Sequence, residues 1–169
     1  TTDAARGTIE SFRRVIPADI EERPIDGLGM IHQVFDIMAA SAQPLEESWY
    51  VGRDIGKVGY FLPVKVFDTD GLLTPVVPAD TRWHLERHVS QDLITQAFSH
   101  KPVMTELLSE WSAAAAANRA LLDAYEVLSA RDGRPKNMAP RGRALPSMDQ
   151  VLERYKAVMA KVPKGYYFQ

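Results

Sequence analysis

Two histidines four residues apart are the first candidates for chemistry in this sequence. His84 and His88 lie on one face of a predicted helix, and Asp92 continues that face one turn further on. Convergent nitrogen and oxygen ligands of this kind suit a divalent metal ion. The HExxH motif of zinc proteases is absent, because Leu85 follows His84. The alternative is a polar helix face on which His88 pairs with Asp92.

A second pair, His32 and Asp36, has the same spacing in another predicted helix. An Asp that orients a His supports general-base catalysis, because it selects the tautomer and stabilises the cation. The sequence places no serine, threonine or cysteine nucleophile beside this pair. The alternative is an ordinary pair of polar side chains on a helix surface. Neither histidine pair indicates a particular cofactor.

Asn118 interrupts an apolar stripe in a long helix predicted over residues 102–130. The stripe follows alternating spacings of three and four residues, and its members are Met104, Leu107, Trp111, Ala114, Leu121, Tyr125 and Leu128. An amide within such a seam could set the register of helix packing or bind a ligand. Either role requires a hydrogen-bond partner, because an unsatisfied buried amide costs about 1–3 kcal/mol.

Residues 131–146 form a basic segment rich in proline. Its four arginines are Arg131, Arg134, Arg141 and Arg143. Guanidinium groups bind phosphate through two parallel hydrogen bonds, so the segment could hold a phosphate group. The alternative is a solvated loop that contacts an acidic protein partner. Nucleic acid is not the expected partner, because the chain has a net charge of −2 and a pI of about 6.1.

Two segments that contain glycine resemble ligand-binding loops only superficially. Three residues separate Gly52 from Gly56, and Val58 follows Lys57, whereas a Walker A loop needs four residues and a Ser or Thr. Residues 68–71 place their glycine fourth, whereas a calcium loop needs it sixth. We interpret the first segment as a connector and the second as a turn.

Hydrophobic periodicity predicts that helices support most of these residues. Helical spacing extends to about residue 56 and again from about residue 81 to residue 162. Between these blocks, alternating side chains around the turn at 68–71 predict a β-hairpin over about residues 58–77. Ser147 and Gln150 form a capping box for the last helix. Residues 163–169 are an aromatic tail.

The expected fold is one mainly α domain over residues 1–169. It comprises five or six helices, with the hairpin inserted between the N-terminal and C-terminal helical blocks. A composition of 46% hydrophobic and 25% charged residues is that of an ordinary globular protein. No stretch reaches the ~20 apolar residues that a membrane span needs. The absence of cysteine favours a reducing, cytoplasmic compartment.

The long predicted helix and the aromatic tail favour a role in binding or assembly. The sequence predicts a homo-oligomer, or an accessory subunit that engages another chain through these two elements. The alternative is a small-molecule enzyme with a site near the helix of His84 and His88, metal-assisted if they bind an ion. The substrate, the partner and any cofactor are unknown from the sequence.

Overall fold

A three-stranded parallel sheet lies at the centre of the protein. The structure is a computed structural model, and it describes residues 29–53, 55–71, 73–74 and 89–161. The strands of the sheet are β1 (Trp49–Gly52), β2 (Lys65–Asp68) and β3 (Met104–Glu106). The order is β2-β1-β3, so β1 pairs with both neighbours and is the central strand.

Helices and one antiparallel hairpin surround this sheet. The helices are α1 (Gly29–Ala40), α2 (Gly56–Phe61), α3 (Gln91–Ser99), α4 (Ser109–Ala116), α5 (Arg119–Ala124) and α6 (Met148–Ala160). A 3₁₀ turn at Leu45–Glu47 precedes β1. The hairpin consists of β4 (Tyr125–Arg131) and β5 (Arg134–Pro140). None of the helices in the described part of the chain is long and apolar enough to cross a membrane.

Each face of the parallel sheet has its own hydrophobic core, because side chains alternate along a strand. Tyr50 and Met104 pack on one face against α1, α2 and α6. Val51 and Phe67 pack on the other face against α3, α4, α5 and the hairpin. This coverage of both faces is typical of parallel sheets, whose strands are buried on each side.

Two arginines from the C-terminal part of the chain bind the end of α1. Arg154 donates hydrogen bonds to three backbone carbonyls there, at 2.7, 2.7 and 2.8 Å, those of Met38, Ser41 and Gln43. Arg143 donates to the Ala40 carbonyl at 2.6 Å and pairs with Glu126. The last carbonyls of a helix lack intrahelical partners and carry partial negative charge, so these cations stabilise the helix end.

The mainly α fold expected from the sequence is wrong, because the protein is an α/β structure with parallel and antiparallel sheets. The hairpin expected over 58–77 is also wrong. Residues Gly56–Phe61 form α2 instead of a strand, and β2 pairs in parallel with β1. Most of the return strand expected up to residue 77 lies outside the described residues. A strand of a parallel sheet is buried on both faces, so its short apolar run lacks a pattern that distinguishes it from a buried helix.

The single long helix expected over 102–130 is absent. That stretch contains β3, α4, α5 and all of β4 except its last residue. Leu107, Trp111, Leu121 and Tyr125 do share one environment, the second core, but they reach it from different elements. The helical spacing therefore correctly indicated that these side chains are buried together, but it predicted the wrong backbone conformation.

Burial also raises the pKa of the Tyr125 hydroxyl to about 12.

The hairpin of the structure lies where the sequence analysis placed a helix end. Arg131 closes β4 and Arg134 opens β5, so two residues form the turn. Asp132 has a φ of 52° and Gly133 a φ of 73°. Positive φ at both central residues is characteristic of a type I′ turn, for which Asp-Gly is a preferred pair.

Local signals at other helices were interpreted correctly. The capping box of Ser147 and Gln150 is confirmed at the start of α6, and α1 coincides with a predicted helix. Within the helical block predicted from about residue 81, Ser90 is extended and caps α3. Residues 1–28, residues 81–88 and the aromatic tail lie outside the described residues.

Gly52 provides a test of this packing. A Cβ atom at this position would lie 2.4 Å from the Tyr50 hydroxyl, and Tyr50 is fully buried. We expect Gly52→Ala to lower the free energy of unfolding by about 1–3 kcal/mol, the usual cost of overpacking. The measurement is urea denaturation followed by circular dichroism.

Gly59 is the matched control, since it lies within α2 and no atom would come within 4 Å of an added Cβ. Gly59→Ala should raise the free energy of unfolding by up to about 1 kcal/mol. Equal effects at the two glycines would contradict the packing of Tyr50 over Gly52.

Candidate functional site

A crevice of about 320 Å³ lies at the carboxyl ends of β1 and β3. Three segments form its walls. Arg53 follows β1. The connection after β3 contributes Leu107 and Leu108, and the start of α4 contributes Ser109 and Ser112. The turn of the hairpin contributes Arg131, Asp132 and Arg134.

The topology of the sheet explains why a crevice forms here. The helix that follows β1, α2, packs on the first face, whereas the helix that follows β3, α4, packs on the second. Because the chain leaves the two adjacent strands in opposite directions, a gap opens between the connections. This arrangement is the topological switch point at which open α/β sheets bind their ligands.

The connection from β3 to α4 contains an unusual backbone conformation. Ser109 has a φ of 51°, in the left-handed region that residues with a Cβ rarely adopt. It is the first residue of α4, and the preceding Leu108 is extended and provides no side-chain cap. Such conformations cost about 1–3 kcal/mol and concentrate at functional sites. The strain identifies Ser109 as a residue of interest within the crevice.

Hydrogen bonds attach the hairpin to β3 and so position its turn at the crevice. The backbone N–H of Leu107 donates to the Lys136 carbonyl at 2.7 Å. The hydroxyl of Thr105, a fully buried residue, accepts from the Met138 N–H at 3.1 Å. The Ser112 hydroxyl donates to the Pro135 carbonyl, which connects α4 to the same strand.

The walls of the crevice are predominantly cationic. Three guanidinium groups line it, with the carboxylate of Asp132 as the only acidic group among the residues identified in its walls. Arg53 also lies 3.8 Å from Asp70, measured from Nε to Oδ2. Fixed positive charges in a concave site attract anionic ligands.

Asp70 is held near Arg53 by the turn that follows β2. The carboxylate of Asp68 is buried and accepts hydrogen bonds from the N–H groups of Asp70 at 2.9 Å and Leu73 at 3.0 Å. Gly71 completes the turn with a φ of 74°. The turn expected at residues 68–71 is therefore confirmed, although it follows a parallel strand.

A separate polar cluster occupies the first face at the end of β3. The amide of Gln33 donates to the Tyr50 hydroxyl and to the Glu106 carboxylate. The Tyr50 hydroxyl lies 3.4 Å from Glu106 Oε2, and Lys136 Nζ lies 3.6 Å from Glu106 Oε1. These bonds satisfy buried polar groups and hold the Tyr50 ring in place over Gly52.

The proposed metal ligands are only partly within the described residues. His84 and His88 lie outside them. Asp92 is exposed in the first turn of α3, and Ser90, two residues before it, is extended and caps this helix. The metal site at His84, His88 and Asp92 stays a prediction. The described part of the chain contains no group of three or more His, Asp or Glu residues that could hold a metal ion.

The other two candidates occupy α1 and α5. His32 and Asp36 both belong to α1, but only the side chain of Asp36 is described, and it is half-buried. Asn118 is the N-cap of α5, where its Oδ1 accepts from the Leu121 N–H at 2.9 Å. Its Nδ2 donates to Gln91 Oε1 at 2.8 Å. Asn118 therefore has a local structural role and does not line the crevice.

The arginines of the basic segment are divided among three locations. Arg131 and Arg134 both line the crevice, where their guanidinium groups could bind one phosphate together. Arg141 donates to the Leu122 carbonyl at 3.0 Å, and Arg143 binds the end of α1. Arg53 was not among the residues predicted to form a site. It directly follows the short apolar strand β1, and that position is the one signal that could have indicated it.

Comparisons with family models, with curated proteins and with solved structures gave no match for this chain.

Asn118 distinguishes the helix seam expected from the sequence from the observed cap. Asn118→Ala should lower the free energy of unfolding by about 0.5–2 kcal/mol, because an N–H at the start of α5 loses its acceptor. Asn118→Asp retains an acceptor oxygen and should lose less. Thermal denaturation of both variants is the measurement, and a stabilised Asn118→Leu variant would support the seam instead.

Ser109 tests the strained turn. Ser109→Gly should leave the free energy of unfolding unchanged or raise it by up to about 1 kcal/mol, because glycine adopts positive φ without steric cost. Ser109→Val should lower it by about 1–2 kcal/mol, since a β-branched residue fits this region poorly. Denaturant titration measures both. Equal stability of the two variants would show that the turn is not strained.

Proposed function

We propose that this protein binds a small molecule bearing an oxyanion, a phosphate or a carboxylate, in the crevice at the carboxyl ends of β1 and β3. The observation that carries the proposal is the convergence of Arg53, Arg131 and Arg134 on one concave volume. Arg131 and Arg134 belong to one hairpin, and Arg53 comes from a distant part of the sequence, so tertiary contacts bring the two groups together.

The position of the crevice supports the proposal independently of its charge. Ligands of open α/β sheets bind outside the carboxyl ends of the strands, at the switch point between adjacent strands. The crevice has this position between β1 and β3. A cluster of arginines elsewhere on the surface would not coincide with this ligand-binding position.

The chemistry of the walls suits an oxyanion with a small organic group. A guanidinium group offers donors in a rigid fork that matches the oxygens of phosphate or carboxylate. Leu107 and Leu108 provide apolar contact beside these donors. A volume of about 320 Å³ is at the lower end of the range for small-molecule sites, roughly 300–1,000 Å³.

The two roles expected from the sequence relate differently to this proposal. The long helix over 102–130, on which the expected assembly role depended, does not form. Oligomerisation, a protein partner and a cytoplasmic location stay predictions. The small-molecule enzyme near His84 and His88 also stays a prediction. The proposed binding site lies at the crevice, and both histidines lie outside the described residues.

A binding experiment with a pair of arginine variants tests the proposal. Phenyl phosphate and benzoate are added to the ¹⁵N-labelled protein, and amide shifts report the site and the dissociation constant. Arg134→Ala should weaken binding of an oxyanion by about 10- to 100-fold, since hydrogen bonds to charged groups contribute about 1.5–3 kcal/mol.

Arg119→Ala is the matched control. Arg119 is exposed on α5, where it pairs with Asp123 at 3.3 Å, and it does not line the crevice. This variant should bind both probes like the unmodified protein. Absence of binding, or equal losses in the two variants, would refute the proposed site.

A further inference from the structure

We infer that the crevice selects the dianion of a phosphate monoester over carboxylates and phosphate diesters. This inference depends on the proposed function, because it names the class of oxyanion that the same site takes. It follows from the charge of the walls, the directions from which the donors approach and the supply of additional donors.

The charge of the walls matches a dianion. Among the described residues that line the crevice, three guanidinium groups and the carboxylate of Asp132 leave an excess of two positive charges, with Asp70 outside this lining and 3.8 Å from Arg53. A phosphate monoester above its second pKa, about 6, carries close to two negative charges. A carboxylate or a diester carries one. A dianion therefore neutralises the walls more completely than either competitor.

The arginines approach from two sides, which favours a tetrahedral group. Arg131 and Arg134 are directly paired across the two-residue turn, whereas Arg53 extends from the end of β1. A carboxylate presents two oxygens in one plane, and a single guanidinium fork satisfies both. The three terminal oxygens of a phosphate monoester point in different directions and can engage donors from both walls.

The two serines of the crevice contribute differently. The Ser112 hydroxyl donates a hydrogen bond to the Pro135 carbonyl. It therefore positions β5 and is not a donor to an anion. The Ser109 side chain is exposed at the start of α4 and lines the crevice. Its hydroxyl is a further donor for a phosphate oxygen, and the N-terminal end of α4 adds a favourable partial positive charge.

The apolar part of the walls accommodates the organic group of the ester. Leu107 is buried and Leu108 is half-buried beside the cationic groups. The limited volume of about 320 Å³ restricts that group to a small one. A monoester with a compact apolar or aromatic substituent therefore fits the crevice.

Three probes that share an aromatic ring test this selectivity. They are phenyl phosphate, benzoate and methyl phenyl phosphate, and calorimetry measures each dissociation constant with the intact chain at pH 7.5. We expect phenyl phosphate to bind at least tenfold more tightly than the monoanions. Equal affinity for benzoate or for the diester would overturn the inference and leave the proposed function intact. Failure of all three probes to bind would overturn both.

The pH dependence provides a second, independent readout. Lowering the pH from 7.5 to 5.0 protonates about nine-tenths of the phosphate dianions, so phenyl phosphate should bind roughly tenfold more weakly. Benzoate stays ionised and should bind equally at both values. The charged groups that line the crevice are Asp132 and the three arginines, with Asp70 beside Arg53, and no histidine is among the described residues there. A parallel loss for benzoate would assign the effect to the protein and contradict the inference.

Substitution of Arg53 separates the donors of the two walls. Arg53→Gln should reduce the preference for phenyl phosphate over benzoate at least threefold, because the wall that engages the third oxygen loses its charge. The ratio of two affinities is insensitive to a modest loss of stability. Arg134→Gln, in the exposed turn, provides the same test if the first variant fails to fold. An unchanged preference in both variants would refute the selection of a tetrahedral dianion.

Discussion

Parallel pairing holds β1 between its two neighbouring strands, and the two cores, the helices and the crevice are arranged around it. Tyr50 and Val51 are consecutive residues, and both are completely buried, one in each core. A parallel sheet is stable only when both faces are covered, because its strands have no solvent-facing side. The helices, although short, are therefore required on both sides, and the end of α1 is held by Arg143 and Arg154 from distant segments.

The crevice is a consequence of this arrangement. Covering both faces makes the chain leave β1 and β3 in opposite directions, and the gap between the connections is the position where α/β sheets bind ligands. The hairpin then supplies charge. Its attachment to Thr105 and Leu107 brings the Arg131–Arg134 turn to the wall of the crevice. Architecture and cationic chemistry therefore meet at one edge of the sheet.

Polar groups on the two faces at the end of β3 have different roles. On the first face, Gln33 satisfies the Tyr50 hydroxyl and the Glu106 carboxylate, which is the expected behaviour of buried polar groups in a stable interior. On the second face, Ser109 adopts a strained conformation beside cationic side chains. Strain at a position that lines a crevice favours a role in binding over a role in stability.

Features that depend on contacts between neighbouring residues could be predicted from the sequence. The capping box of Ser147, the turn at residues 68–71 and the helix α1 were all recognisable, because their hydrogen bonds and apolar faces involve nearby positions. The Asp132-Gly133 turn was equally local and was misread as a helix end. The pairing of Tyr50 with Met104, and the position of Arg53 in the same crevice as Arg134, depend on tertiary contacts between distant segments. A short apolar run satisfies a buried strand and a buried helix equally well, and pairing with a distant segment determines which of them forms.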